Sequence, residues 1–296
     1  MSVYSLWGSL EIGLIFGLVA LGVLISFRVL NFPDLTVDGS FPLGGAAAAI
    51  LIHHGYDPFV ATGIGTLAAG FAGVITGWLN VRLKIMDLLA SILMMIALYS
   101  INLRVMDAPN VPLITESTVF TVLQPAGLHD YVARPLILLV LVVVVKLVLD
   151  WFFATQVGLA MRSTGSNPRM ARSQGIRTGN MVLLGMGISN ALCGLAGALF
   201  AQSQGGADIS MGIGTIVIGL AAVIIGESIL PSRRLAITTL AVVIGAVLYR
   251  FFVALALNAD FVGLKAQDLN LVTAVLVTVA LVIPLIKQRL RRKRVE

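Results

Sequence analysis

The sequence predicts an all-α, polytopic membrane protein, because its composition and its apolar pattern do not suit a soluble domain. Of its 296 residues, 58% are hydrophobic and 11% are charged, whereas a soluble domain has roughly 25% charged residues. The apolar residues also occur in long runs, and a helix that spans a bilayer needs about 20 of them. The net charge of +6 comes from basic residues at the ends of these runs. That pattern indicates membrane orientation rather than nucleic-acid binding.

About nine hydrophobic segments, one of them short or broken, follow one another along the chain. The second is too short to span the membrane alone, so the chain before it must dip into the membrane to begin it. The third is rich in glycine, which favours close helix packing in membranes. The segments cover residues 5–27, 40–53, 57–81, 86–104, 132–151, 180–203, 212–230, 235–256 and 269–286.

Basic residues between the segments predict how the chain is oriented. The tail, residues 287–296, contains six Lys and Arg residues, and cytoplasmic segments of membrane proteins carry such an excess. Counting back through nine segments places the C-terminus in the cytoplasm and the N-terminus outside. We expect one transmembrane domain over residues 1–296.

A weak internal repeat relates the two halves of the chain. Residues 34–47 align with residues 208–221, and both stretches follow an apolar helix and open a Gly-rich one. The first lies on the predicted inner side and the second on the outer side. This predicts an inverted 4+1+4 repeat, with a first repeat in 1–131, a linker helix and cytoplasmic loop in 132–179, and a second repeat in 180–286. Chance similarity between two apolar helices is the alternative.

The first candidate site is the stretch 31–42, which interrupts the apolar pattern ahead of the second segment. Two prolines and a glycine prevent a continuous helix, and irregular backbone at membrane depth is tolerated only beside protein or a water-filled cavity. The stretch either lines a substrate pathway or forms a structural turn in which Asp34 or Ser40 caps the next helix. The candidate pathway residues, including two that the repeat adds nearer the outer face, are Asp34, Thr36, Asp38, Ser40, Asp208 and Ser210.

The second candidate site is a short helix in the loop between the fifth and sixth segments. Asn167 suits the N-cap, Pro168 the first helical position, and Gly175 the helix end. A helix held at both ends can fill a groove on a partner protein, whereas an ordinary positive-inside loop is the alternative. The candidate docking residues are Asn167, Pro168, Arg169, Met170, Ala171, Arg172, Gly175 and Ile176.

Other polar residues in or near the apolar segments have two interpretations. Such residues mark a functional site or form hydrogen bonds between helices. They are Asp87, Asn102, Asn190 and Glu227.

Several familiar chemical motifs are missing from the sequence. It has no G-x-x-x-x-G-K-[ST] loop for ATP, and no metal-ligand spacing surrounds the single Cys193. We expect no catalytic residue, no metal and no cofactor, and therefore a transport subunit rather than an enzyme.

Several short stretches resemble the permease subunits of branched-chain amino acid and ribose type ATP-binding cassette (ABC) importers. They follow one another in the order typical of that family and cover nearly the whole chain. The first of them looks closest to a poorly characterised branch that includes importers assigned to aromatic amino acids. The stretches are Asp34-Leu35-Thr36-Val37-Asp38-Gly39-Ser40, Gly165-Ser166-Asn167-Pro168, Ala171-Arg172, Gly175-Ile176, Gly194-Leu195-Ala196-Gly197-Ala198-Leu199 and Gly219-Leu220-Ala221-Ala222-Val223-Ile224-Ile225-Gly226.

The resemblance implies a set of partners and a role for the loop helix. Two permeases would pair in the bacterial inner membrane and bind two cytoplasmic ATPases, while an extracytoplasmic binding protein delivers a small polar solute. Residues 167–176 would form the coupling helix that docks on the ATPase. Because the first site is acidic, an amino acid-like solute is favoured over a sugar. The alternative is a secondary transporter or channel, which an inverted repeat and a broken helix suit equally well.

Overall fold

The computed structural model describes residues 3–124, 129–232 and 234–257, together with positions 274, 275, 278 and 282. Within these residues, seven helical stretches are long and apolar enough to cross a membrane, and one shorter apolar helix accompanies them. The prediction of an all-α, polytopic membrane protein is therefore confirmed.

Eleven α-helices account for most of the described chain. A π-helical turn (Leu24–Val29) extends α1, a 3₁₀ turn (Ile209–Gly212) precedes α10, and strands β1 (Asn110–Pro112) and β2 (Gly206–Asp208) pair antiparallel. The helices are α1 (Val3–Val23), α2 (Val37–His53), α3 (Pro58–Leu83), α4 (Asp87–Met106), α5 (Val119–Leu123), α6 (Asp130–Ala154), α7 (Gln156–Ser166), α8 (Pro168–Ser173), α9 (Thr178–Gln204), α10 (Thr215–Ile229) and α11 (Leu235–Leu257).

Eight of the nine predicted segments coincide with helices, and the ninth, 269–286, lies outside the described residues except at four positions. The seventh segment begins later than predicted, at Thr215 rather than at residue 212. Its start is delayed because the 3₁₀ turn and Gly214, whose φ is +80°, come before it. A left-handed φ of this kind suits glycine, which has no Cβ.

The two halves of the chain exchange their packing partners. Helix α1 packs against α10 and α11 of the second half, and α9 packs against α2 and α3 of the first half. The inverted repeat stays a prediction. The strands add a further link, since Val111 after α4 pairs with Ala207 after α9.

Glycines bring α2, α3 and α9 into close contact. A Cβ at Gly197 would overlap the carbonyl oxygen of Phe41, and a Cβ at Gly44 would overlap the backbone of Gly194. Small residues let backbones approach in this way where lipid removes the hydrophobic drive for association. The start of α2 is thereby held deep between α3 and α9.

Asp150, which is paired with Lys146 on the same helix, joins the linker helix α6 to α11. Lys146 Nζ lies 2.5 Å from Asp150 Oδ2, and the Thr239 hydroxyl donates a 2.7 Å hydrogen bond to Asp150 Oδ1. The two charged side chains are only 18% and 16% exposed. An isolated charge in a membrane helix costs about 2.5–3.5 kcal/mol, so each side chain depends on the other.

Neutralising one member of this pair should destabilise the protein more than neutralising both. We expect Lys146→Leu and Asp150→Leu each to lower the melting temperature in detergent. The double variant should lie closer to wild type, because apolar replacement of an entire buried pair is often neutral. If the double variant lowered the melting temperature by the sum of the two single losses, this coupling would be contradicted.

Candidate functional site

The stretch after α1 carries Asp34 into the interior of the subunit. Asp34 is fully buried, and its Oδ1 accepts a 2.9 Å hydrogen bond from the backbone N–H of Thr36. Its Oδ2 accepts a 2.8 Å hydrogen bond from Asn190 Nδ2 on α9. The carboxylate therefore shapes the turn that begins α2 and ties that turn to the second half of the chain.

Asn190 is the centre of a buried polar network. Besides contacting Asp34, its Oδ1 accepts a 2.6 Å hydrogen bond from the Ser40 hydroxyl. The hydroxyls of Thr36 and Thr76, on α3, hydrogen-bond at 2.9 Å. All five side chains have no measurable exposure. The network joins α2, α3 and α9 and gives the predicted pathway residues Asp34, Thr36 and Ser40 partners within the subunit.

Asp38 holds the N-terminus of α10 against the first turn of α2. Its Oδ1 accepts a 2.8 Å hydrogen bond from Ile216 N–H, and its Oδ2 accepts one of 3.3 Å from Gly214 N–H. The first N–H groups of a helix lack intrahelical partners and carry a partial positive charge. A carboxylate accepts hydrogen bonds from these N–H groups and compensates their partial positive charge. The N-terminal ends of α2 and α10 therefore meet at Asp38.

A cavity of about 390 Å³ opens beside this meeting point. Of the four candidate pathway residues in the stretch 31–42, Asp38 alone lines it. The walls come from α2, α4 and the segment around the 3₁₀ turn. The lining residues are Asp38, Gly39, Pro42, Met95, Ile96, Tyr99, Ser100, Asn102, Ile209 and Ile213.

Asp208 and Ser210 form a separate turn that resembles the one at Asp34. Asp208 Oδ1 accepts a 2.7 Å hydrogen bond from Ser210 N–H and another from the Ser210 hydroxyl. The turn precedes α10 as the Asp34 turn precedes α2. The structure does not bring Asp208 or Ser210 into hydrogen-bonding contact with the Asn190 network, among the bonds of the described residues.

The remaining intramembrane polar residues also have partners. Glu227 forms two hydrogen bonds with Arg28, at 2.7 and 2.8 Å, across the ends of α10 and the π-helical turn. Asp87 accepts a hydrogen bond from Asn80. The sequence could single out Asn190 because it is a polar residue on a Gly- and Ala-rich helix. Its hydrogen bond to Asp34 depends on the tertiary structure.

The loop helix α8 has the caps that the sequence predicts. Asn167 Oδ1 accepts a 3.1 Å hydrogen bond from Met170 N–H, Pro168 begins the helix, and Gly175 ends the turn with a φ of +81°. Met170 is 62% exposed.

The predicted docking residues of α8 differ in their exposure. Arg169 and Arg172 are exposed, Ile176 is partly exposed, and Ala171 is buried against its own subunit. Ala171 therefore packs α8 against its own subunit, and the outward surface includes Met170 and the two arginines.

Apolar spanning helices, polar helix ends that meet inside the bundle and an exposed, doubly capped loop helix define a membrane transport protein. The family model for the branched-chain amino acid transport system permease component matches residues 6–285. The chain therefore belongs to this permease family, which is a transport family and not a catalytic one. It is a membrane-spanning permease of an ABC importer for a small solute.

Individual relatives agree with this assignment. A tyrosine transport system permease protein of Clostridioides difficile (strain R20291) is 37% identical over 264 residues, 89% of this chain and 86% of the relative. The galactofuranose transporter permease protein YtfT of Escherichia coli (strain K12) is 28% identical over 211 residues, 68% of this chain and 58% of the relative.

A solved structure shows the same fold. PsaBC from Streptococcus pneumoniae in complex with Fab has a TM-score of 0.54 and 13% sequence identity, and the match covers 95% of this chain and 91% of that chain. Together with the family, the spanning helices make this a multi-pass protein of the inner membrane, and the family implies ATPase and substrate-binding partners.

Proposed function

We propose that two copies of this permease form a pathway for an amino acid-like solute. In this proposal, α8 transmits to that pathway the movement that ATP hydrolysis produces in a separate ATPase. The observation that carries the proposal is the geometry of α8, a two-turn helix capped at both ends with Met170, Arg169 and Arg172 directed outward. A self-sufficient carrier has no need of such a surface, whereas a permease driven by a separate ATPase does.

The interior of the subunit supports coupling from α8 to the pathway. Helix α8 is joined through a short turn to α9, and α9 carries Asn190, which holds Asp34 and Ser40 at the start of α2. Displacement of α8 would therefore reach the Asp34 turn through one continuous helix. Rigid elements of this kind transmit movement because packed interiors deform little.

The proposed orientation follows the basic residues. The N-terminus lies outside and the C-terminus in the cytoplasm, so that α8, with its two arginines, faces the cytoplasmic ATPase. The Asp208–Ser210 turn then lies near the outer face, where the binding protein delivers solute. Asp38 and its cavity lie between the two faces.

A homodimer would place the cavity beside Asp38 on a shared pathway. Helix α4 exposes large apolar side chains along one face, including Leu93, Ile96 and Tyr99, and the cavity opens on the same helix. In this arrangement Asp34, Thr36 and Ser40 support the pathway wall from within. The amino acid-like solute is favoured by the acidic wall and by the relative named as a tyrosine transport permease.

Reversing the charges on α8 tests the coupling. In proteoliposomes containing the partner ATPase and the binding protein, Arg169→Glu/Arg172→Glu should lower solute uptake at least about tenfold. We infer that α8 faces an acidic groove on the ATPase, where like-charge contacts would cost several kcal/mol, and each 1.4 kcal/mol is a factor of ten.

The matched control is Arg291→Glu/Arg292→Glu, which changes as many charges in the basic tail, on the same predicted side. It should keep uptake and ATPase association near wild type. If the α8 variant retained full uptake and bound the ATPase normally, α8 would not be the coupling helix.

A further inference from the structure

The cavity beside Asp38 contains a buried acceptor without a partner. Asn102, on α4, is 1% exposed, and its Nδ2 donates a 3.1 Å hydrogen bond to the carbonyl oxygen of Gly39. That bond fixes the orientation of the amide, because a carbonyl oxygen can only accept. Asn102 Oδ1 is then left without a hydrogen-bond partner within the described part of the chain.

Such an oxygen is costly unless something donates to it. A buried acceptor without a donor destabilises a protein by about 1–3 kcal/mol, and native proteins leave few of them. Asn102 lines the cavity, so a group that enters the cavity could provide the missing donor.

The first turn of α2 makes the same wall rich in acceptors. Asp38 contributes a carboxylate, each oxygen of which has a lone pair beyond its one bond to α10. Among the residues that the structure describes, no Lys, Arg or His lines the cavity. The wall therefore favours a cationic donor, and the hydroxyls of Tyr99 and Ser100 are the donors that it offers to a carboxylate.

The other walls suit an apolar or aromatic group. Met95 and Ile96 on α4 and Ile213 after the 3₁₀ turn are apolar, and Tyr99 adds an aromatic ring. The volume of about 390 Å³ lies in the range of small-molecule sites, roughly 300–1,000 Å³. The combination fits a small amine with an apolar or aromatic side chain.

We propose that Asn102 and Asp38 form a binding subsite for the ammonium group of the solute, with its side chain against Met95, Ile96 and Tyr99. Asn102 Oδ1 accepts one ammonium N–H, and the Asp38 carboxylate provides the opposite charge. This subsite rests on the proposed function, because it assigns the solute class to the same pathway. It makes Asn102 a specificity-determining residue of the permease.

Thiol labelling at the cavity tests the subsite without requiring transport. Ser100 is an exposed residue of the lining, whereas the native Cys193 is fully buried. The Ser100→Cys permease, assembled with its ATPase in nanodiscs, is treated with a cationic and an anionic methanethiosulfonate reagent. We expect the cationic reagent to react roughly tenfold faster or more, because an acidic cleft concentrates cations.

Protection of this thiol identifies the ammonium group as the recognised feature. L-Tyrosine and tyramine should slow labelling, whereas 3-(4-hydroxyphenyl)propanoate, which lacks the ammonium, should not. Asn102→Leu in the same background should lose the protection. Leu103→Ala, at an adjacent α4 position outside the cavity lining, is the matched control and should keep it.

The outcomes separate the subsite from the proposed function. Equal protection with and without the ammonium, no protection by any of the three compounds, or protection that survives Asn102→Leu overturns the subsite. A thiol that neither reagent reaches, as when a second subunit or lipid fills the cavity, also overturns it. Protection by tyramine in a permease that transports no amino acid keeps the subsite and rejects the proposed solute. The three-compound comparison needs only Ser100→Cys, so a folding defect of Asn102→Leu does not remove the test.

Discussion

Gly197→Val is expected to remove most of the folded protein from the membrane. The added Cβ would overlap the carbonyl oxygen of Phe41, a backbone atom of α2 that cannot move without displacing the helix. Gly44→Val should act in the same way, because its Cβ would overlap the backbone of Gly194. Overpacking of a core costs about 1–3 kcal/mol when side chains can adjust, and here the obstruction is backbone.

The measurement is the yield of monodisperse protein after detergent extraction, together with its melting temperature. Gly63→Val is the matched control, since Gly63 also lies on a packed helix, α3, but a Cβ added there would meet no heavy atom within 4 Å. Its yield should remain close to wild type. Equal losses at Gly197 and Gly63 would show that valine harms these helices regardless of packing.

Asn190→Leu is expected to be the most damaging substitution of a polar side chain. It leaves Asp34 Oδ2 and the Ser40 hydroxyl without their partner in the dry interior. Each unsatisfied buried group costs about 1–3 kcal/mol, and more when it is charged. We expect a loss of about 3 kcal/mol or more, measured by thermal or denaturant unfolding in detergent.

A double-variant cycle identifies the Asp34 contact as the cause. Asp34→Leu/Asn190→Leu should lose less stability than the sum of the single variants, with a coupling of roughly 0.5–3 kcal/mol. Asn80→Leu is the control, because its amide also binds an aspartate, Asp87, but is only partly buried. Its loss should be much smaller. Strict additivity of Asp34→Leu and Asn190→Leu would contradict the network.

Helix order and the caps of α8 follow from local sequence. Apolar runs of sufficient length define spanning helices, which is why eight predicted segments were found as helices. The caps of α8 are also local, because Asn167, Pro168 and Gly175 act within a few residues of themselves. The start of α10 was placed too early because hydropathy does not detect the turn that ends at Gly214.

Which residues of the site form hydrogen bonds with one another depends on the tertiary structure. Asp34 and Asn190 are 156 residues apart in sequence, and Asp38 and Ile216 are 178 apart. Local patterns contain no signal for such pairs, so the sequence left Asp38 as one of six pathway candidates. Packing alone distinguished it, by placing the N-terminus of α10 against its carboxylate.

The sequence by itself determined that this chain is a polytopic membrane protein with a capped loop helix, since membrane insertion and capping depend on composition and on neighbouring residues. Only the tertiary structure decided that Ala171 faces inward, that Asn190 organises the buried network, and that Asn102 lines a cavity with Asp38. The physical reason is that burial and hydrogen-bond satisfaction belong to pairs of helices. A side chain that is apolar or polar by sequence acquires its role from the helix packed against it.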